Sequence, residues 1–380
     1  MASLLLSALT PPPVNTSPDY DGVEYRWKMF TFRPAFFQYE PFLLVGVLLY
    51  VAFHFWGKKA NETRVNTWYE AHRPLLEAQF SKPTDRGLIR DGNSDWFNYS
   101  TGRRALTSLH TIFTVRPRHD FFQYAFQIGK GLVELDYRVY DEVELDFTFK
   151  DSSGKESTVP DCVWAVVAKD EIKSIRKRRW DLTFTKTTDQ PGLPPSLTVM
   201  SEFADITANL LKPLGPLNLP AVLSDPTILP YFRCLSLTDQ PRTRPSIPVP
   251  PADRRRHLTL TLALPPASEA GATLPLLVAA FQLVDAIAGT GKAGLRGGLN
   301  GQLRPETRVK LRKIREEVDK EIREDAVKEK REEQAEEKAA AKRKAEEERL
   351  SRLSAADQKK AMDREKKRAM RKSQGRVKVR

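Results

Sequence analysis

The sequence predicts an α+β protein with one N-terminal transmembrane helix, a mixed domain with an antiparallel sheet and helices, and a long C-terminal basic helix. Three observations carry this prediction. Residues 41–56 form an uninterrupted apolar run. Apolar residues alternate with polar ones in several short segments of the middle third. Residues 306–372 contain no Pro and no Gly, and Ala, Glu, Lys and Arg dominate them.

The first 34 residues read as a short irregular leader, and residues 35–57 read as the transmembrane helix. A helix needs about 20 residues to cross a bilayer, and this segment fits if Glu40 lies at the interface. A buried core helix is the alternative, although a core helix is rarely so uniformly apolar and followed directly by charge. The residues expected to face lipid are Phe42, Leu43, Leu44, Val45, Leu48, Leu49, Val51, Phe53 and Trp56.

The charges that flank residues 35–57 suggest an orientation. Asp19, Asp21, Glu24 and Glu40 occupy the N-terminal side of the segment, and Lys58 and Lys59 follow it. A short leader is also easier to translocate than a charged domain of more than 300 residues. We therefore expect a lumenal N-terminus and a cytosolic C-terminus.

Residues 58–288 are expected to form the cytosolic α+β domain. Helical patterns cover residues 60–82, 101–113, 202–211 and 273–288. Alternation of apolar and polar residues predicts about five antiparallel strands, each with one solvent-facing side. These strands are centred on residues 143–149, 163–167, 180–184, 197–199 and 258–264, with a turn at 151–155 between the first two.

The apolar segment Leu274–Ala288 is too short to span a bilayer. It is either a buried core helix or, less favourably, an interfacial helix under the membrane surface. The glycine-rich segment 289–303 is predicted to be a hinge, and Pro305 suits the first turn of the next helix.

Residues 304–380 are predicted to form a helical arm that resembles a coiled coil. Leu311, Ile314, Val318 and Ile322 form one apolar stripe, but no sustained heptad follows. Residues 304–358 hold 17 Lys/Arg and 16 Asp/Glu, so this part reads as a spacer. A single extended helix is therefore the favoured interpretation.

The positive charge is concentrated at the end of the arm. Residues 359–380 hold 11 Lys/Arg and 2 Asp/Glu, a net charge of +9 within a chain of net +13. Such a segment is typical of binding to a polyanion such as RNA, DNA or acidic lipid, and a solvated charged face without a partner is the alternative. The predicted RNA-binding residues are Lys359, Lys360, Lys366, Lys367, Arg368, Arg371, Lys372, Arg376, Lys378 and Arg380.

The remaining residue patterns do not predict an enzyme, a cofactor or a metal site. Gly289–Gly294 matches a GxGxxG pattern, but no strand precedes it. Cys162 and Cys234 are far apart and read as unpaired thiols in a reducing compartment. The acidic run Asp136–Asp146 is expected to lie partly on the solvent face of a strand, with a cation site as the less favoured interpretation.

The order of these features resembles the coiled-coil domain-containing protein 47 family, also called calumin, in a fungal-type form. The resemblance rests on the apolar helix LPLLVAAFQLVDAI, the glycine-rich hinge, and the arm that runs from RPETRVKLRKIREEVDKEIRE to KKRAMRKSQGRVKVR. Animal members are connected with calcium homeostasis through an acidic lumenal region that is not found in this sequence.

The resemblance implies an endoplasmic reticulum membrane protein of the PAT complex, an intramembrane chaperone for nascent multi-pass membrane proteins. Its partners would be a small membrane protein called Asterix, the Sec61 translocon and the translating ribosome, with residues 359–380 on ribosomal RNA near the exit tunnel. The alternative is a structural membrane tether whose basic helix binds cytoskeleton or anionic lipid.

Overall fold

A computed structural model describes residues 22–27, 30–34, 39–84, 86–134, 137, 139–150, 157–213, 215–251, 253–290 and 297–351. The chain divides into two compact units: residues 1–243 with 254–309, and residues 244–253 with 310–380. The α-helices of the described residues are α1 Glu40–Gln79, α2 Phe121–Val133, α3 Ile172–Arg178, α4 Ala204–Leu211, α5 Leu219–Leu223, α6 Leu274–Ala288, α7 Gly298–Gln302 and α8 Pro305–Ser351.

The first unit contains an antiparallel sheet of nine strands, which confirms the α+β class and the antiparallel pairing. The strands of the described residues are β1 Tyr25–Trp27, β2 Phe30–Phe32, β3 Ile89–Asp91, β4 Asp95–Ser100, β5 Leu106–Thr114, β6 Glu142–Phe149, β7 Trp164–Ala168, β8 Lys186–Thr188, β9 Leu197–Ser201, β10 Phe232–Thr238 and β11 His257–Ala263. The strand order of the sheet is β3-β4-β5-β6-β11-β10-β7-β9-β8, and a separate hairpin pairs β1 with β2.

One face of this sheet is covered by the second half of α1 and by α6. The ring of Trp68 from α1 lies 5.2 Å from Phe113 of β5, centroid to centroid. Phe281 of α6 contacts Phe147 of β6 at 5.4 Å and Phe80 at 5.8 Å. Since nine of the fifteen residues of α6 are buried, this helix belongs to the core. The preferred interpretation of Leu274–Ala288 is therefore confirmed, and the interfacial one is wrong.

The expectation that every strand has one solvent-facing side is wrong for part of the sheet. All five residues of β9 are buried, as are six of the seven in β10. On their second face, Ile175 of α3 and Leu182 pack against Val167, Met200 and Cys234. These strands are therefore covered on both sides. In β6, by contrast, half-buried residues alternate with buried ones, so the prediction of one solvent-facing side is confirmed for this strand.

Three further predictions of local structure are corrected. Residues 101–113 contain strand β5 and no helix, and residues 181–184 form a 3-10 helix in place of a strand. The segment 163–167 does form β7, but β7 pairs with β10 and β9 and not with β6. The predicted turn at 151–155 lies outside the described residues.

The predicted hinge is more structured than expected in its described parts. Helix α6 ends at Ala288 and is capped by Gly289, whose positive φ of 70° is the left-handed conformation that glycine adopts at helix C-termini. Residues 298–302 form α7, while 291–296 lie outside the described residues. Helix α8 begins at Pro305, as predicted. The leader also contains the hairpin of β1 and β2, so it is not wholly irregular.

The second unit consists of residues 244–253 and most of α8. Leu311, Val318 and Ile322 of the predicted stripe are buried, and Ile314 is half-buried. Arg244 forms ion pairs with Glu321 and Asp325 at 3.2 and 2.6 Å. From residue 327 to residue 338 every side chain is exposed, as expected of a spacer helix in solvent.

Candidate membrane anchor and its junction with the folded domain

The first half of α1 presents an apolar surface with nothing of the described structure packed over most of it. We call residues 41–56 the apolar segment. Of the nine side chains predicted to face lipid, eight are exposed by 42–76%. Phe53 is the exception, because its ring lies between those of Trp56 and Phe121, at 5.7 and 5.4 Å. The structure adds three exposed residues to the predicted set: Val47, Tyr50 and Phe55.

Helix α1 continues without a break from this apolar segment into the folded domain. Its first half is almost entirely exposed, whereas Gly57, Val65, Trp68 and Leu76 are buried in its second half. The two helical patterns predicted separately for residues 35–57 and 60–82 are therefore one helix. Because helical hydrogen bonds run through the junction, the domain is joined to the segment by a stiff connection and not by a linker.

Gly57 marks the point at which α1 meets the domain. A Cβ atom at this position would lie 1.9 Å from the carbonyl oxygen of Arg118. Only glycine allows the segment before α2 to approach the helix this closely. One turn earlier, Nδ1 of His54 lies 3.1 Å from the carbonyl oxygen of His119. Residues 118–119 are thus held directly against α1.

A buried polar network ties the same segment to α1 just beyond Gly57. The side-chain amide of Asn61 donates to the carbonyl oxygens of Asn93 and Arg116, at 3.1 and 2.9 Å. Its oxygen accepts from Arg118 at 3.0 Å. Asn61 is fully buried, so these bonds replace water that its amide would otherwise bind.

Asp141 is the centre of the charges in this network. Arg118 donates to both of its carboxylate oxygens, at 2.8 and 2.7 Å, and Arg64 of α1 pairs with it at 2.8 Å. Burial raises the pKa of Asp141, but the hydrogen bonds from Arg118 and the backbone of Arg116 lower it, and the net pKa lies below the ordinary value. The carboxylate therefore stays charged at neutral pH. Contrary to expectation, Asp141 faces arginines and not solvent.

Arg64 extends this network to the residues that directly follow β11. Its guanidinium donates to the carbonyl oxygens of Leu264 and Pro265, at 2.8 and 3.1 Å. Burial lowers the pKa of Arg64 from its ordinary value, and the charge of Asp141 opposes that shift. One arginine thus joins α1 to both the loop before β6 and the end of β11.

A second buried polar cluster lies two turns further along α1. The indole Nε1 of Trp68 donates to Oγ1 of Thr273 at 2.9 Å, and this hydroxyl lies 3.1 Å from Nε2 of His72. Nδ1 of His72 donates to the carbonyl oxygen of Trp68 at 2.8 Å, and the two rings are stacked. The Thr273 hydroxyl accepts from Trp68 and donates its own proton to Nε2 of His72. Nε2 can accept this proton only if it carries none, so the three hydrogen bonds require neutral His72. Burial lowers the pKa of His72 to about 4.

The residues of this junction were not predicted from the sequence. They come from separate parts of the chain, and their types are common on any surface. Asn61 and Asn98 each begin a glycosylation sequon, but both asparagines are fully buried in the fold. The ten predicted RNA-binding residues between Lys359 and Arg380 lie outside the described residues.

Comparisons with known proteins agree on one family. The sequence model of the family described as PAT complex subunit CCDC47 matches residues 36–372. The UPF0674 endoplasmic reticulum membrane protein C2G5.01 of Schizosaccharomyces pombe is 27% identical over 352 residues, which cover 88% of this chain and 86% of that protein. The PAT complex subunits CCDC47 of Bos taurus and Homo sapiens are 24% and 23% identical over 188 residues. Those matches cover 45% of this chain and only 36% of the animal proteins.

The fold and the junction define a class of protein: an α+β domain whose first helix continues as an exposed apolar segment long enough to be a candidate membrane span. The Schizosaccharomyces pombe relative is named as a membrane protein of the endoplasmic reticulum, which agrees with this class. The chain belongs to the PAT complex subunit CCDC47 family. This family is named for a subunit of a complex and not for a catalysed reaction.

Proposed function

We propose that this protein is a subunit of an intramembrane chaperone complex of the endoplasmic reticulum, which docks on the translating ribosome and translocon and assists the insertion of multi-pass membrane proteins. Its partners would be a small Asterix-like membrane protein, the Sec61 channel, ribosomal RNA and the nascent chains. Family membership supports the complex, and the stiff continuation of the apolar segment into the domain supports a membrane-fixed position.

Within this proposal the chain has five functional parts. Residues 1–34 form the lumenal leader, 35–57 the membrane span, 58–288 the cytosolic domain, 289–303 a connecting segment and 304–380 the arm. Helix α8 extends about 70 Å over its 47 residues at ~1.5 Å per residue. The arm would carry the +9 charge of residues 359–380 away from the membrane to the ribosome.

Ribosome co-sedimentation across a salt series tests this function. The test variant replaces five terminal residues, Lys366, Lys367, Arg368, Arg371 and Lys372, by Gln. The control replaces the same number in the spacer, where the side chains of Lys328, Lys330, Arg331, Lys338 and Lys344 are exposed. Each lost phosphate contact should lower the slope of log affinity against log salt by about 0.7–0.9, so the terminal variant should lose both affinity and salt dependence.

The control variant should keep the affinity and slope of the unmodified chain. Equal losses in both variants would show that total charge matters and not its position, against the proposal. Pelleting with anionic liposomes or microtubules, without binding to ribosomes, would favour the structural tether.

The lumenal position of the leader is a separate part of the proposal with its own test. Asn15 lies in a sequon of the leader, and α8 offers exposed positions, such as Glu333, for an engineered one. In microsomes we expect a glycan on Asn15 and none on a sequon placed at residue 333. A glycan at residue 333 and none on Asn15 would show the opposite topology, with a cytosolic N-terminus. Asn61 and Asn98 are unsuited to this test because both are buried.

A further inference from the structure

Helix α2 has its apolar side turned away from the protein. None of its thirteen residues is buried, although it is one of the most apolar segments of the chain. Its large apolar side chains are exposed by between 49% and 84%. They are Phe121, Phe122, Phe126, Ile128, Leu132 and Val133.

The polar side of α2 faces the domain. Tyr124, Gln127, Lys130 and Gly131 are its half-buried residues, and their spacing places them on one side of the helix. Tyr124, Gln127 and Gly131, together with Ile128 of the same helix, line a small cavity whose other walls are Arg116, Tyr137, Val139 and Tyr140. The ammonium of Lys130 lies 4.4 Å from the centre of the Tyr137 ring. A surface helix in water is built the other way, with apolar residues inward and polar residues outward.

Two ring contacts fix the depth of α2 beside the apolar segment. Phe122 lies 5.8 Å from Tyr50, and Phe121 lies 5.4 Å from Phe53. The predicted span ends at residue 57, so Trp56 marks its boundary with the headgroups. Tyr50 and Phe53 precede Trp56 by six and three residues, which is about 5–9 Å along a helix. Interfacial helices bury their apolar faces about 5–10 Å into the boundary between headgroups and acyl chains. The start of α2 therefore lies at interfacial depth if α1 crosses a membrane.

The start of α2 is also fixed in position. Asp120 caps it by accepting a hydrogen bond from the backbone amide of Gln123 at 3.1 Å. The preceding residues, Arg118 and His119, are held against α1 by the junction described above. The helix has no acidic residue, so nothing in it opposes contact with anionic headgroups.

We propose that α2 is a second membrane-contacting element, which lies in the interfacial region of the leaflet next to the α+β domain with Phe122, Phe126 and Leu132 toward the acyl chains. The occupant of its exposed face is lipid, because this face is continuous with the exposed face of the apolar segment through the Phe122–Tyr50 contact. A single span can rotate about its axis, whereas a span with an interfacial helix fixed beside it holds the domain in one orientation. This proposal depends on α1 crossing a membrane, but on no ribosome or chaperone role.

Site-specific fluorescence with the full-length protein in phosphatidylcholine vesicles tests this inference. Single cysteines at Phe126 and Leu132 would carry an environment-sensitive NBD group, with Lys186 of the exposed strand β8 as the reference position. The two native cysteines are buried and leave the introduced thiol as the accessible one. We expect NBD at 126 and 132 to shift to shorter wavelength and to be quenched severalfold by lipids with a doxyl group high on the acyl chain. NBD at 186 should show neither effect.

A variant of α2 separates lipid contact from folding. Phe122→Asp with Phe126→Asp should abolish lipid quenching of NBD at Leu132, while the thermal unfolding midpoint in detergent stays unchanged because both side chains are exposed. Gln123→Asp is the matched control on the polar side of the first turn, and it should keep the quenching. A blue shift without lipid quenching would show that a second copy of the protein covers this face, and would overturn the proposal. A water-like spectrum at 126 and 132 would overturn it as well.

Discussion

The apolar segment of α1 and the core helix α6 are similar in mean hydropathy, 1.5 and 1.7 over their most apolar windows, but have opposite surroundings. Both are long and apolar enough to cross a membrane when the 3-10 turn Ala267–Thr273 is counted with α6. Yet 6% of the most apolar window of α1 is buried in the protein, against 61% for α6. An apolar composition thus predicts that a helix is shielded from water, but not whether protein or lipid shields it.

Replacing one leucine by aspartate in each helix should give the largest difference in the free energy of unfolding between the two. Leu283 of α6 is fully buried, so Leu283→Asp places a carboxylate in the core and should lower the free energy of unfolding by more than about 4 kcal/mol. Leu44→Asp, at an exposed site, should leave unfolding in detergent within about 0.5 kcal/mol of the parent. It should instead hinder membrane insertion by about 2.5–3.5 kcal/mol. Denaturant unfolding and carbonate extraction of microsomes measure the two effects.

Equal destabilisation by both aspartates in detergent would contradict the comparison. It would mean that protein covers the apolar segment, so that residues 41–56 would be a core element like α6.

A pH dependence should appear where the two helices meet, at His72 of α1 and Thr273 before α6. The pKa of His72 is lowered to about 4 in the fold, against 6.5 for an unperturbed side chain. The unfolded chain therefore binds the proton first as pH falls, and stability decreases between about pH 6.5 and 4. Each pKa unit corresponds to ~1.4 kcal/mol, so the loss approaches about 3 kcal/mol.

The variant His72→Gln should remove this part of the pH dependence, because glutamine does not titrate. Unfolding free energies of both proteins, measured from pH 7 to pH 4 in detergent, provide the comparison. If the two curves have the same slope, protonation of His72 is not linked to folding.

Regular patterns in the sequence predicted the fold well, and local irregularities account for what was missed. The unbroken alternation of residues 143–149 correctly predicted β6. Residues 106–114 alternate less clearly, because the pairing of β5 with β6 shifts between Leu106 and Ser108. This bulge spaces Leu106, Leu109 and Phe113 by three and four residues, which imitates a helix. Helix α2, with two glycines in its second half, gave no helical signal strong enough to be predicted.

The apolar segment was predictable because its residues are contiguous, whereas the junction was not. Asn61, Arg64, Arg118 and Asp141 lie up to 80 positions apart, and each residue type is unremarkable in solvent. Their meaning depends on the fold, which brings them together around one buried carboxylate. Periodic patterns along the sequence cannot predict contacts between residues so far apart.

Two glycines of α1 offer the finest test of where the exposed region ends and the packed region begins. A Cβ at Gly57 would meet the backbone of Arg118 and His119, so Gly57→Ala should cost about 1–3 kcal/mol in unfolding free energy. A Cβ at Gly46 would meet nothing within 4 Å, so Gly46→Ala should be neutral or stabilise the helix by up to about 1 kcal/mol. Denaturant unfolding in detergent measures both variants. Since alanine favours a helix at either position, a loss at Gly57 alone can only come from the contact with residues 118–119, and equal effects at the two sites would show that α1 does not pack there.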